Sequence, residues 1–339
     1  MGYPSFYEGA EKLLEMSFGL GNKKEEDGAK PNDLRAIPRE ELEGLLAGIG
    51  AEIVSDMATK ETHAYVLSES SMFIRQQAII FKTCGTTQLI KAIPLLLKLV
   101  QRYTSLGQIQ ELYYSRKEFL RPELQEAPYQ SFAGEVKELE VDFEGQAHYF
   151  GQGDRRWYVY VFEGGASQAK KKKGKRQAQD CLELMMEELE PQVMAIFSKA
   201  HCNCALQARQ KSGIDGIVAG LAIDDLLFEP CGYSMNGLMD DGRYATIHIT
   251  PQEAYSYVSF ESDAVHLPHS QLIRRVLDVF RPRKFICTIY TDRSRPAAST
   301  GDMREEATGS LEGFRLMDAQ TLTLRHHRLT YMAFVRDMT

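Results

Sequence analysis

Short apolar runs come in clusters in this chain, and no other feature of the sequence constrains its fold as strongly. Residues 52–55, 64–67, 72–74 and 78–81 follow one another as strand-sized stretches, with no helix-sized run between them. Further strand-like stretches lie at 112–114, 148–150, 157–162, 247–249, 255–260 and 285–290. Helical spacing is confined to a few places. Pro38 opens one helix, with Leu42, Leu45, Leu46 and Ile49 as its apolar face. A second follows Thr86-Thr87 through Leu89, Ile90, Ile93 and Leu97, kinked at Pro94. A third is predicted over 180–197, and a fourth over 270–280 with Ser270 as its cap. Clustered strands of this kind predict an α+β fold with antiparallel sheets rather than a doubly wound parallel one. No linker rich in Pro, Gly or Ser divides the chain, so a single domain over 1–339 is expected.

Charge and composition narrow the function classes. Forty Lys and Arg against 47 Asp and Glu leave a net charge of −7, which disfavours a nucleic-acid partner held by positive charge. No apolar run approaches the roughly 18 residues a membrane span needs. Glu8, Glu11 and Glu15 fall where a secretory signal requires a basic start and an apolar core, so secretion is not expected. Six cysteines without a compact secreted framework read as reduced thiols of a cytoplasmic protein. The basic run Lys170 to Lys173, Lys175 and Arg176 reads as a solvated loop. His201-Cys202-Asn203-Cys204 resembles half a metal site but lacks a second pair, so no metal is expected.

Three segments are candidates for chemistry. Ser68-Glu69-Ser70-Ser71 sets three serines and an acid between two apolar stretches, either as a polar hairpin turn or as a reactive site. Cys84, just before Gly85 and a predicted helix, is either a thiol activated at a helix N-terminus or an ordinary buried cysteine. Ser234 in the Gly-flanked string Cys231-Gly232-Tyr233-Ser234-Met235-Asn236-Gly237 reads as lying in a tight turn. His248 falls on the strand that follows it.

Taken together, these strings resemble the eukaryotic S-adenosylmethionine decarboxylase family in its proenzyme form. The matching stretches are 6–15, 65–73, 82–87, 114–117, 230–237 and 246–251, in order, with further similarity through 257–261 into the C-terminal third. The resemblance implies a four-layer αββα sandwich with two antiparallel sheets face to face. It implies that the chain cuts itself at Glu69-Ser70, giving a β chain of 1–69 and an α chain of 70–339. Ser70 would become a pyruvoyl group that forms a Schiff base with the substrate amine, so pyridoxal phosphate is not expected. Cys84 matches the proton donor, while Ser234 and His248 match the processing residues. Glu8 and Glu11 match acids lining the site. Tyr7 and Phe228 match two aromatic walls for adenine and the sulfonium, and Leu67 and Glu69 match positions whose backbone reads the adenine edge.

Two departures from the family pattern bear on substrate and activator. Gln252 stands where the family has a Glu that holds both ribose hydroxyls, so weaker ribose binding is expected. Glu15, Lys82, Glu183 and Glu261 match the cluster that binds putrescine in animal members. The key Asp of that cluster aligns near Gln179 or Asp180, and His327 replaces a tyrosine. Leu13 and Tyr113 lack the arginines of plant members. Putrescine control therefore stays open, as does the choice between the dimer of animal members and the monomer of plant ones. The competing function is a non-catalytic paralogue that activates a partner decarboxylase.

Overall fold

The computed structural model describes residues 6–20, 30–164, 180–264, 268–293 and 311–337. The basic run and Gln179 lie outside these residues. The chain divides into two compact units, one of residues 10–168 and one of 1–9 with 169–339.

The first unit holds β1 (Lys12–Phe18), β2 (Ile53–Ala58), β3 (Thr62–Leu67), β4 (Ser70–Arg75), β5 (Ala78–Thr83), β6 (Ile109–Lys117), β7 (Gln146–Phe150) and β8 (Trp157–Glu163). Its helices are α1 (Arg39–Ala47), α2 (Ala92–Tyr103) and α3 (Phe132–Leu139). The eight strands form one sheet in the order β2-β3-β4-β5-β1-β6-β8-β7, with each neighbouring pair antiparallel. One face of this sheet is apolar. Leu14, Met16, Met72, Ile74 and Phe81 pack there with Leu42, Leu46, Leu96 and Leu99 of the helices.

The second unit holds β9 (Cys181–Leu189), β10 (Ala222–Leu227), β11 (Tyr233–Leu238), β12 (Tyr244–Thr250), β13 (Tyr257–Ser262), β14 (Pro282–Asp292), β15 (Phe314–Thr323) and β16 (His327–Arg336). Its helices are α4 (Pro191–Ala195), α5 (Ala205–Ser212) and α6 (His269–Phe280). Its sheet runs β10-β11-β12-β13-β9-β14-β16-β15. That is the first sheet's order with every strand replaced by the one eight places later, so the two units share one topology. No repeat is visible in the sequence. Met235, Ile247, Phe260, Leu184 and Cys287 turn one face toward Leu272, Ile273 and Val276 of α6.

Strand alternation then dictates what the opposite faces carry. In the second sheet Ser234, Asn236, Thr246, His248, Ser259, Glu261 and Glu183 alternate with residues of the apolar cluster, and all seven are buried. In the first, Lys82 alternates with Phe81 of the apolar cluster, and both it and Glu11, just before β1, are buried.

Several expectations are corrected. Residues 181–189 form a central strand, not a helix. Leu182, Leu184 and Met186 enter the apolar cluster while Glu183 and Met185 face the other way, and β9 pairs on both sides with β13 and β14. The mixture of Leu, Met and Glu has high helix propensity, and tertiary pairing overrides it. Ser270 lies inside α6 rather than capping it; the N-cap is Pro268, without a side-chain cap. Pro94 sits in the first turn of α2, where its missing N–H breaks no helical bond. The α+β expectation with antiparallel sheets holds. Among the described residues no helix is long and apolar enough to cross a membrane.

Candidate active site

The Ser-Glu-Ser-Ser string is a hairpin. Leu67 pairs with Ser70 across a two-residue turn of Ser68 and Glu69. The tip is tied down, since the Ser68 N–H donates to the Glu52 carbonyl (2.9 Å) and the Glu52 N–H to Ser68 Oγ (3.0 Å). Ser70 has a φ of 131°, a region that L side chains rarely adopt and that costs about 1–3 kcal/mol. Regular alternation would put its side chain with Met72 and Ile74 in the apolar cluster. Instead its buried hydroxyl donates to Glu11 Oε1. Glu11 in turn lies 3.6 Å from Lys82 Nζ, a fully buried ammonium on β5. The two groups form a buried ion pair beside the Ser70 hydroxyl, and burial makes such a pair costly to break by removing one member.

The carbonyl that precedes Ser70 is gripped from the other side. Glu69 O accepts the Cys84 backbone N–H at 3.0 Å and the Cys84 thiol at 3.3 Å. Two donors on one carbonyl suit an oxygen that gains negative charge. Cys84 follows β5 directly and α2 begins only at Ala92, so the helix N-terminus reading of this thiol is set aside. Gly85 makes the turn with a left-handed φ of 61°, and its carbonyl accepts from Lys12 Nζ (2.9 Å) and Gln125 Nε2 (3.2 Å). Sequence reasoning missed Lys12 and Gln125. The one available signal was a lysine alternating with Leu14 and Met16 on a buried strand face.

The second unit builds a row of polar groups across two paired strands. Ser234 on β11 faces His248 on β12, and Asn236 faces Thr246. The ring Nδ1 of His248 lies 3.0 Å from Ser234 Oγ, and its Nε2 lies 2.9 Å from Thr246 Oγ1. Thr246 Oγ1 donates to Asn236 Oδ1 at 2.9 Å. Ser234 is part of a strand, not a tight turn. The preceding loop makes the turn instead, with a cis Glu229-Pro230 bond and Gly232 at a φ of 115°. The Phe228 N–H donates to the Gly232 carbonyl (2.9 Å), which closes that loop.

Beside this row lies a pair of acids. Glu183 on β9 and Glu261 on β13 are register partners, both buried. The Tyr244 hydroxyl donates to Glu261, and Thr288 Oγ1 donates to Glu183 Oε2 at 3.4 Å. Burial first, then the charge of Glu261, holds the Tyr244 phenol well above its ordinary pKa of 10. Burial, with Glu183 second, pushes the Cys287 thiol up in the same way.

The remaining candidates are placed as follows. Glu15 is half-buried on β1, between Ile80 and Tyr113 in register. Asp180 directly precedes β9 and is half-buried. Tyr7 and Phe228 are half-buried, Glu8 is buried, and the Leu67 side chain belongs to the apolar cluster, which leaves only its backbone for recognition. Gln252 follows the end of β12; its Oε1 is buried and has no hydrogen-bond partner among the described residues. Glu253 is exposed. Cys202 is buried in the apolar cluster whereas Cys204 is exposed, so these thiols occupy different surroundings. His327 stacks on Tyr290 with ring centroids 4.4 Å apart.

These groups place a strained serine beside a doubly hydrogen-bonded carbonyl in one unit and a hydroxyl–imidazole row in the other. The family model described as adenosylmethionine decarboxylase matches residues 4–335. The chain belongs to that family. Its relatives include the S-adenosylmethionine decarboxylase proenzymes of Xenopus laevis, 39% identical over 98% of this chain and 96% of that one, and of Drosophila melanogaster, 40% identical over 87% and 85%. The crystal structure of the Trypanosoma brucei AdoMetDC-delta26 monomer matches with a TM-score of 0.60 over 79% of this chain and 99% of that one, at 21% identity. The decarboxylase family thus shares its fold with this α+β chain.

Proposed function

We propose that this chain is a self-processing S-adenosylmethionine decarboxylase that makes decarboxylated S-adenosylmethionine, the aminopropyl donor for spermidine and spermine. The observation that carries this reading is the Ser70 hairpin. A serine with a φ of 131° follows a carbonyl that already accepts two hydrogen bonds from Cys84. In the proposed sequence Ser70 Oγ adds to the Glu69 carbonyl carbon, the C–N bond breaks, and an ester remains with a free amine on Ser70. The donors on Glu69 O stabilise the charge that gathers there during addition. With Glu11 Oε1 as its acceptor, the Ser70 hydroxyl has a carboxylate to receive its proton. His248 then takes the Cα proton and the Glu69 carboxylate departs, leaving dehydroalanine. Hydrolysis of that group releases ammonia and leaves a ketone at the head of residues 70–339.

The pyruvoyl ketone supplies an electron sink for loss of CO₂, and its precursor Ser70 is held among residues suited to making it. The chain's own groups do the rest. Cys84, half-buried, is the proton donor at the former α-carbon. Tyr7 and Phe228 provide aromatic faces for adenine and the sulfonium. Gln252 offers a ribose hydroxyl a buried acceptor that has no partner among the described residues, but without a charge it binds more weakly than a carboxylate.

Putrescine, a dication, is the proposed activator. Glu183 and Glu261 stand directly opposite each other and buried, an arrangement of two acids that suits a dication. Rate stimulation by putrescine that disappears in Glu183→Gln supports it; equal rates with and without the diamine reject it.

The purified protein is to be assayed for ¹⁴CO₂ release from carboxyl-labelled S-adenosylmethionine, before and after treatment with phenylhydrazine. Release that phenylhydrazine abolishes is expected, because hydrazines trap ketones. An uncut chain without release, which instead accelerates a partner decarboxylase, would support the non-catalytic paralogue.

A further inference from the structure

Each ring nitrogen of His248 lies within hydrogen-bond distance of a hydroxyl, and the Thr246 one is itself committed elsewhere. The Thr246 hydroxyl has a single proton, and it is spent on Asn236 Oδ1 at 2.9 Å. Its oxygen can then only accept from the imidazole, so the 2.9 Å contact to Nε2 requires a proton on Nε2. A neutral ring protonated at Nε2 is bare at Nδ1, and Nδ1 accepts the Ser234 hydroxyl at 3.0 Å. We infer that Thr246 and Asn236 are positioning residues that fix His248 in the Nε2–H tautomer and leave Nδ1 as the basic atom. This rests on the reading of His248 as the base of self-processing.

Position makes the arrangement specific. Thr246 and His248 are two apart on β12 and so share a face, and Asn236 and Ser234 meet them in register from β11. Thr246 and Asn236 are fully buried, so water does not replace a lost partner. Without the Thr246 hydroxyl, Nε2–H loses the acceptor that holds its proton there. The ring would move its proton to Nδ1 and donate to Ser234 Oγ, which removes the base. The reverse orientation, with the Asn236 amide donating to Thr246, would put the proton on Nδ1 from the start.

The test uses the full chain and three forms: wild type, Thr246→Val, which keeps shape without the hydroxyl, and Thr246→Ser, which keeps the hydroxyl. Self-cleavage is followed on denaturing gels with and without hydroxylamine, which cuts esters. Thr246→Val is expected to accumulate hydroxylamine-sensitive chain and to eliminate at least about 100-fold more slowly, the lower end of what a general base contributes. Thr246→Ser is expected to process within a few-fold of wild type. Cleavage of Thr246→Val at the wild-type rate overturns the inference, while a wild type that never cleaves overturns the processing reading instead. ¹⁵N-histidine spectra of the uncleaved Ser70→Ala chain give a second readout that a merely structural role would not move. A pyridine-type shift at His248 Nδ1, exchanged to Nε2 on adding Thr246→Val, is expected; a pyrrole-type Nδ1 in the Thr246-containing chain contradicts it. The same spectra report folding, so a misfolded Thr246→Val leaves the Nδ1 assignment in the parent chain to decide.

Discussion

In the first unit the polar face of the sheet carries an acid, a buried lysine and a backbone-strained serine. In the second, the counterpart face carries a serine, a histidine, a threonine and an asparagine in register. The strand order around both is the same. Their apolar faces are also equivalent, each packed on helices by alternating Leu, Ile, Met and Phe. Among what differs are the side chains of one face and the φ of 131° at Ser70. One topology therefore carries either a strained serine beside a doubly hydrogen-bonded carbonyl or a hydroxyl–imidazole row, and what each unit can do follows from residues placed on the fold.

If the first unit holds the reacting bond, the largest effect comes from Ser70. Ser70→Ala is expected to abolish cleavage and activity together, seen as one uncut band and no CO₂ release. Cys84→Ala removes the thiol from Glu69 O and the proposed proton donor. It is expected to lower decarboxylation at least about 100-fold while cleavage, which keeps the Cys84 N–H, falls less. An equal loss in both assays would assign the thiol no separate role in turnover.

Two predictions sharpen the second unit. Gln252→Glu adds a charge at this buried acceptor and is expected to lower KM about fivefold with kcat unchanged, since charge-assisted bonds are roughly twice as strong. A raised KM would show that Gln252 does not face the ribose. The smallest effect concerns Tyr244, whose folded pKa lies well above its unfolded value near 10. Below pH 10 its contribution to stability is complete, and it is lost as pH rises from there toward the folded pKa. Tyr244→Phe is expected to flatten the alkaline fall of the melting temperature; an unchanged slope rejects this assignment.

Part of this was legible from residues alone. The β3–β4 hairpin is one of the two readings left open for the polar Ser68-Glu69-Ser70-Ser71 string between apolar stretches, whereas the roles expected of Ser70 and His248 rested on the family resemblance. The strand at 181–189 was not legible, because Leu-Glu-Leu-Met-Met-Glu-Glu-Leu suits a helix and only pairing with β13 and β14 makes it a strand. Ser234 was misplaced because its neighbouring glycines suggest a turn, whereas Gly232 alone supplies it. Thr246 and Asn236 were readable in principle, being two residues from His248 and Ser234 on strands. Their hydrogen bonds, however, depend on the β11–β12 register, which the sequence does not reveal.

The central claim is that the Ser70 hairpin is a bond the protein breaks itself. Intact mass measurement of the purified full chain, incubated without protease, addresses this directly. Two species that divide the sequence between Glu69 and Ser70 are expected, of 69 and 339 − 69 = 270 residues. The longer should lack a free amine and shift in mass on reaction with a hydrazine. A single species at the mass of the uncut chain, or a cut at any other bond, would contradict the account.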